Sequence, residues 1–241
     1  MKILIFGSSG LTGQALVKHL ANDECHDEIH LALRKPLPLM THPRVHQHII
    51  DFTSTEAIIE LVTQGNFELA FCALGTTIKK AGSKQAFKHI DVDLISMIGE
   101  SVTKSHSINC FCFISALGAN ANSSVFYNRC KGQTENNIIE HFNIANAERV
   151  ANRQTTQKLI VCRPSLLTGD RDEFRLGEKI GIALSQCAPF IFRGPFKQYK
   201  PIDASLFAQA MIRKSTCKEL TESEIEICEN DELHKLGQAI N

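Results

Sequence analysis

The chain opens on an unbroken apolar run, "KILIF" at 2–6, short and β-branched, which predicts a strand covered on both faces. "LTGQALVKHLAN" at 11–22 then switches to helical spacing through Leu11, Ala15, Leu16 and Leu20. "EIHLALR" (28–34) and the more polar "VHQHIID" (45–51) predict strands two and three. "STEAIIELVTQG" (54–65) predicts a helix capped by Ser54 or Thr53 and stopped at Gly65. "FELAFCALG" (67–75), "NCFCFISALG" (109–118) and "KLIVCRPS" (158–165) supply strands four to six. Between them, "SKQAFKHIDVDLISMIGESVTKS" (83–105) reads as one long amphipathic helix and "YNRCKGQTENNIIEHF" (127–142) as the next. Strands alternating with helices predict an α/β fold, a doubly wound parallel sheet with helices on both faces. Past residue 166 the alternation weakens. "LGEKIGIALSQC" (176–187) and "DASLFAQAMIRKS" (203–215) look helical, and "EIEICE" (224–229) looks like a short strand. Residues 1–241 therefore read as one domain, with 166–241 as a small substrate-side extension closing over the sheet edge.

"GSSGLTG" (7–13) joins the first strand directly to the first helix. Gly7 permits the sharp turn, Gly10 lets a ligand approach the backbone, and Gly13 removes a side chain between helix and sheet. The segment from Ser9 through Gly10, Leu11, Thr12 and Gly13 then presents amides at a helix head, an anion site suited to a pyrophosphate. The spacing G-x-x-G-x-x-G is a variant of the dinucleotide fingerprint G-x-G-x-x-G. Gln14 and Ala15 stand where a P-loop needs lysine and a hydroxyl residue, so that motif is excluded. A tight turn holding no ligand is the plainer alternative. Strand two ends in Arg34 and Lys35, where sites selective for NAD carry an acid; two cations favour the 2′-phosphate of NADP(H), with NAD(H) second. Asp51, followed by Phe52, can accept from an adenine amino group, and Ala73, Leu74, Gly75 and Thr76 are small enough for the chain to pass close to a cofactor.

Lysine plus arginine total 26 and aspartate plus glutamate 26, so there is no basic footprint for nucleic acid. No apolar run is long enough to span a bilayer, and "MKILIFGSSG" lacks the pattern of a secretory signal, which predicts a cytosolic protein with no membrane partner. Nine cysteines, odd in number and set mostly in apolar runs, read as reduced buried thiols. "HPRVHQH" (42–48) has no cysteine or carboxylate cluster beside it, so no metal site is expected.

Tyr127 and Lys131 in "FYNRCKG" are four residues apart, one turn along a helix face. Ser115 ends strand five, beside the expected nicotinamide position. Lys131 would lower the pKa of the phenol, Tyr127 would exchange a proton with an alcohol or carbonyl oxygen, and Ser115 would hydrogen-bond that oxygen. With the glycine turn, "LRKP", "ALGTTIKKAG", "FISALGAN", "YNRCKGQTE" and "CRPSLLTGDR", the chain resembles the atypical branch of the short-chain dehydrogenase/reductase superfamily. Within it the resemblance is closest to the Tat-interacting-protein-like oxidoreductases.

The resemblance implies a Rossmann fold, bound NADP(H), Ser115, Tyr127 and Lys131 as the catalytic set, and Arg163, Pro164, Ser165 and Leu166 lining the nicotinamide pocket. It implies an oxidoreductase acting on a small carbonyl or alcohol, or alternatively a redox-sensing regulator that holds NADP(H) with little turnover. It also leaves a homodimer through the catalytic helix open. A nucleotide-sugar epimerase is disfavoured by the short C-terminal region. Two departures stand out. The asparagine that completes a proton relay in many members is missing from "HIDVDLIS", leaving Asp91, Asp93 or no relay. "NIANAERVANRQTTQ" (143–157) is also longer than the subgroup pattern and reads as extra helix.

Overall fold

The computed structural model describes residues 1–23, 28–38, 40, 42–169, 194–216 and 224–239. Seven parallel strands form one sheet in the order β3-β2-β1-β4-β5-β6-β9. They are β1 (Lys2–Phe6), β2 (Glu28–Leu33), β3 (Val45–Ile49), β4 (Leu69–Cys72), β5 (Cys110–Ile114), β6 (Lys158–Arg163) and β9 (Ile225–Glu229). Two further two-residue strands, β7 (Leu167–Thr168) and β8 (Ile202–Asp203), pair with each other outside it.

The unbroken apolar runs are explained by burial on both faces. Ile3 and Ile5 of β1 pack with α1 (Leu11–Asn22) through Leu16, Val17 and Leu20, and with α7 (Ala204–Thr216) through Phe207, Ala208 and Met211. Leu4 and Phe6 point the other way, to α2 (Thr55–Gln64), α5 (Ile95–Thr103) and α6 (Phe126–Ala151) through Ile58, Val62, Ile98, Ile138 and Phe142. The chain runs β1 to β3 in one direction and then crosses to β4 on the other side of β1, so a crevice opens beyond the C-terminal ends of β1 and β4.

Three sequence expectations are corrected. After the one-turn α3 (Ile78–Ala81), the single helix over 83–105 is instead α4 (Lys84–Lys88), a π-helix (His89–Leu94) and α5; a π segment has no apolar period of its own to mark it. The helix expected over 127–142 and the extra helix expected over 143–157 are instead one unbroken helix, Phe126–Ala151. Its buried stripe is largely polar, including Lys131, Thr134, Glu135, Asn146 and Arg149, which hides it from an amphipathic pattern. Last, Ile225–Glu229 belongs to no separate extension: it pairs with β6 along its whole length and completes the main sheet, followed by α8 (Asn230–Gln238). The helix expected over 176–187 lies outside the described residues.

The six described cysteines, 72, 110, 112, 130, 162 and 228, are all free and buried. Burial pushes the Cys72 thiol up to about 12, so it stays protonated. Among the described residues no helix is long and apolar enough to cross a membrane.

The segment 143–157 fastens α6 to the rest of the core. Asn146 donates from Nδ2 to the Gln157 carbonyl at 2.8 Å and accepts from the Gln157 amide at 2.8 Å. Gln157 in turn donates from Nε2 to the Val102, Ser105 and Ile108 carbonyls. Arg149 donates to the Thr155 and Ser105 carbonyls. Carbonyls at and beyond the C-terminal end of α5, which lack intrahelical donors, thereby gain partners. Asn146→Ala should strand the buried Gln157 amide and carbonyl and cost ~1–3 kcal/mol in a urea unfolding titration; an unchanged midpoint contradicts the clasp.

Candidate functional site

The glycine turn sits against the end of β4. Gly7 has φ +84°, and a Cβ there would lie 2.6 Å from the Ala73 carbonyl carbon and the Leu74 nitrogen. A Cβ on Gly13 would fall 2.1 Å from the Gly7 oxygen. Packing alone forces both glycines. Gly10 is different: a Cβ there meets only the Gly7 and Ala73 oxygens, at 3.3 and 3.9 Å, so the remaining space at this helix head is open. Gly10 is the N-cap of α1 and offers no side-chain cap, and the first turn holds no acid. The amides of Leu11, Thr12 and Gly13 therefore present an uncompensated positive helix end. Ser9 is exposed in the turn, and its carbonyl accepts from Gln14 Nε2 at 3.0 Å, bracing the loop. These features fit a dinucleotide diphosphate: a helix head without internal anion, and a cradle that a side chain at position 10 would begin to fill.

Arg34 and Lys35 follow β2, both exposed and without an ion pair to any described residue. Asp51 is exposed just beyond β3, where its Oδ1 accepts from the Thr53 amide (2.8 Å) and hydroxyl (2.7 Å). Those two bonds hold its carboxyl below the usual range, leaving Oδ2 as a charged acceptor. Phe52 turns inward, edge-on to Phe6 with centroids 6.3 Å apart.

Farther along the crevice, Lys131 is buried to 4 % exposure, its Nζ 2.7 Å from Asp91 Oδ1. Burial alone would depress the ammonium, but the facing carboxylate outweighs it and the Lys131 pKa is raised. Asp91 reaches this point because it lies in the π-helix. Its other oxygen accepts from the Thr76 amide at 2.8 Å, and its main-chain carbonyl accepts from Thr134 Oγ1 at 2.6 Å. Asp93 instead faces solvent near His89, so of the two candidate substitutes for the missing asparagine only Asp91 meets the lysine. Gly75 is exposed directly over the pair: a Cβ there would lie 3.6 Å from Asp91 Oδ1 and 3.9 Å from Lys131 Nζ. Tyr127, one turn before Lys131, is 38 % exposed and leans on Phe87 with centroids 5.9 Å apart. Among the described residues nothing hydrogen-bonds its hydroxyl.

Ser115 does not stand free beside Tyr127. It is 2 % exposed, and its hydroxyl donates to Glu135 Oε1. Glu135 is gripped by Arg163, from Nε (2.9 Å) and Nη2 (2.6 Å), while Arg163 Nη1 donates to Glu229 at 2.8 Å. A serine has one proton, and here it is directed at Glu135, so toward the cleft Ser115 can offer only a lone pair. Arg163 likewise has its guanidinium bound by two carboxylates, a strut behind the pocket instead of the lining residue that the resemblance implied. Pro164 is buried and its carbonyl accepts from the Leu117 amide at 2.9 Å. The Ser165 amide donates to Asn230 Oδ1 (2.9 Å), its hydroxyl donates to the Lys200 carbonyl, and the Leu166 carbonyl accepts from Ile202.

Sequence reasoning missed Glu135 and Asn230. Glu135 lies at i+4 from Lys131, which is the one signal that could have drawn it to the same face. Asn230 is wholly buried, and its Nδ2 donates to the Gln198 and Lys200 carbonyls at 2.9 Å, tying the segment before β8 to the end of β6.

No family model matches the chain. Among curated proteins it is 33 % identical over 184 residues to "Protein FMP52-2, mitochondrial" of Scheffersomyces stipitis, covering 76 % of this chain and 73 % of that one. It is 30 % identical over 178 residues to "Protein HTATIP2" of Rattus norvegicus, covering 73 % and 66 %. Similar solved structures are a UDP-glucuronic acid 4-epimerase from Bacillus cereus in complex with NAD (TM-score 0.64, 12 % identity, 95 % and 78 % covered) and the UDP-Glc/GlcNAc 4-epimerase of Campylobacter jejuni (0.65, 14 %, 97 % and 82 %). At that identity they show the Rossmann-type fold alone. The expectation of a cytosolic protein is overturned: the FMP52 relatives, from several yeasts, are named as mitochondrial, and the presence or absence of a secretory pattern does not bear on that compartment.

The buried pair yields a stability test. Asp91→Ala leaves an ammonium buried without its carboxylate and should cost ~3–5 kcal/mol in denaturant melts, most of it regained when Lys131→Met is added. Because the folded-state pKa of Lys131 is raised above 10.5, the pair contributes fully below pH 10.5 and its contribution fades as pH rises through the raised value. Lys131→Met should therefore flatten the alkaline limb of the stability profile.

Proposed function

The chain belongs to the family of the FMP52 and HTATIP2 proteins, within the atypical short-chain dehydrogenases/reductases, and from that premise we propose that it is an NADP(H)-dependent oxidoreductase acting on a small carbonyl or alcohol. The observation that carries this reading is the line from the uncapped head of α1, past Gly75, to Lys131 and the solvent-facing phenol of Tyr127. The bound nicotinamide supplies a hydride acceptor or donor. The amides of Leu11, Thr12 and Gly13 take the diphosphate, and the free cations of Arg34 and Lys35 favour a 2′-phosphate. Tyr127 transfers the proton to or from the substrate oxygen. Lys131, fixed by Asp91, orients at the ribose edge and keeps a positive charge beneath the phenol. Ser115 contributes its lone pair, which accepts from an alcohol O–H, and so it positions an alcohol more directly than a carbonyl. The NAD named in the complex with the Bacillus cereus epimerase supports a nicotinamide dinucleotide as the ligand class.

A second reading, a cofactor-holding regulator with little turnover, is favoured by the sealed state of Ser115 against Glu135. Fluorescence titration with NADPH and NADH, followed by a panel of aldehydes, ketones, quinones and alcohols, separates the two. The oxidoreductase reading expects turnover that Tyr127→Phe lowers ~10²–10⁴-fold, with Ser115→Ala costing only ~10-fold, the loss of about one hydrogen bond. Arg34→Glu should weaken NADPH ~10–100-fold, as expected for a charge-assisted contact, and NADH far less. Tight NADPH binding with no turnover favours the regulator, and no affinity for either coenzyme removes both.

A further inference from the structure

Three imidazoles and a carboxylate meet on one face of the sheet, toward the N-terminal end of β2 and away from the crevice. In the parallel register His30 stands directly opposite His46. Residues two apart on a strand share a face, which adds Glu28 from β2 and His48 from β3. The His30 and His46 rings stack with centroids 4.8 Å apart and planes at 26°. One ligand atom from each of Glu28, His30 and His46 lies within 4.8 Å of the others.

Both nitrogens of His30 are already aimed. Nε2 lies 3.0 Å from Glu28 Oε2, and Nδ1 lies 2.8 Å from His48 Nε2. That is how a ligating histidine is held: one nitrogen toward the ion, the other donating to a supporting acceptor behind it. Phe67 packs edge-on to His30 at 5.0 Å and to His48 at 6.4 Å, closing the inner side, while His46 stays exposed and leaves the outer side open to an ion. The place also attracts a cation now, since Lys2 Nζ sits 2.8 Å from the same Glu28 oxygen.

We propose that Glu28, His30 and His46 form a binding site for a divalent transition cation of the Zn2+ class, with His48 orienting His30 and solvent completing the shell. Two imidazoles and one carboxylate without thiolate suit Zn2+, Co2+, Ni2+ or Cu2+ over Ca2+ or Mg2+. On binding, His30 carries its proton on Nδ1 and donates it to His48, Nε2 faces the ion, and the Lys2 ammonium yields its position on Glu28. The site is independent of the coenzyme, because the crevice lies at the opposite ends of the strands.

The test uses the full chain stripped with chelator. Co2+ uptake is followed by ligand-field absorption and Zn2+ uptake by competition with a chromophoric chelator. The expected result is one ion per chain and no thiolate charge-transfer band. His48→Phe should weaken binding ~10–100-fold, as loss of an outer-shell partner does, and His46→Asn by more. Lys2→Met should tighten it by removing the competing ammonium. His46 is exposed, so its replacement leaves the core intact, and thermal melts with NADPH titrations of each variant verify the fold. No uptake by the unaltered protein, a thiolate band, or a signal that survives in His46→Asn overturns the assignment.

Discussion

A lysine ammonium buried below a glycine is costly unless a carboxylate faces it, and the centre of this molecule is arranged around that requirement. Asp91, which meets Lys131 at 2.7 Å, lies where the helical run after β4 widens into a π segment. The wider turn presents the carboxylate to α6, the Thr76 amide takes its second oxygen, and Thr134 takes its main-chain carbonyl. Three separate stretches of chain are thereby fixed to one charge pair: the segment after β4 that holds Gly75 and Thr76, the π-helix and α6.

The same face of α6 carries a second ionic device one turn later. Glu135 receives the Ser115 hydroxyl and a two-pronged grip from Arg163, which also reaches Glu229. That links β5, α6, β6 and β9 behind the crevice. The two devices divide the labour. One holds the Lys131 cation under Gly75, and the other holds the ends of β5, β6 and β9 together. Buried polar groups with their partners supplied in this way fix a unique geometry, whereas apolar packing alone would tolerate sliding.

Much of this was legible in the sequence where the determinants are local. The apolar runs at β1, β4, β5 and β6 announced buried parallel strands, and the three glycines of 7–13 announced the turn whose tight contacts at Gly7 and Gly13 the structure shows. The Tyr127–Lys131 spacing placed both on one helix, and the missing asparagine left Asp91, Asp93 or no relay in its place, of which the structure brings Asp91 to the lysine. What escaped depends on contacts between distant residues. Nothing within 83–105 marks the π turn. No periodicity shows that Arg163 answers Glu135, or that "EIEICE" pairs with β6. The histidines of 42–48 looked partnerless because their neighbours, Glu28 and His30, arrive through the register of a different strand.

The position of β9 has an outcome for how the chain matures. The strand that closes the sheet on β6 is drawn from residues 225–229, far along the chain from β6 itself, so the backbone groups along one side of β6 wait for a partner until that later stretch has been made. Glu229, one of the two carboxylates that steady Arg163, arrives equally late. A nascent chain of this protein therefore carries an unpaired sheet edge along β6 until residues 225–229 emerge, the kind of surface that chaperones shield and that invites pairing with a neighbouring chain.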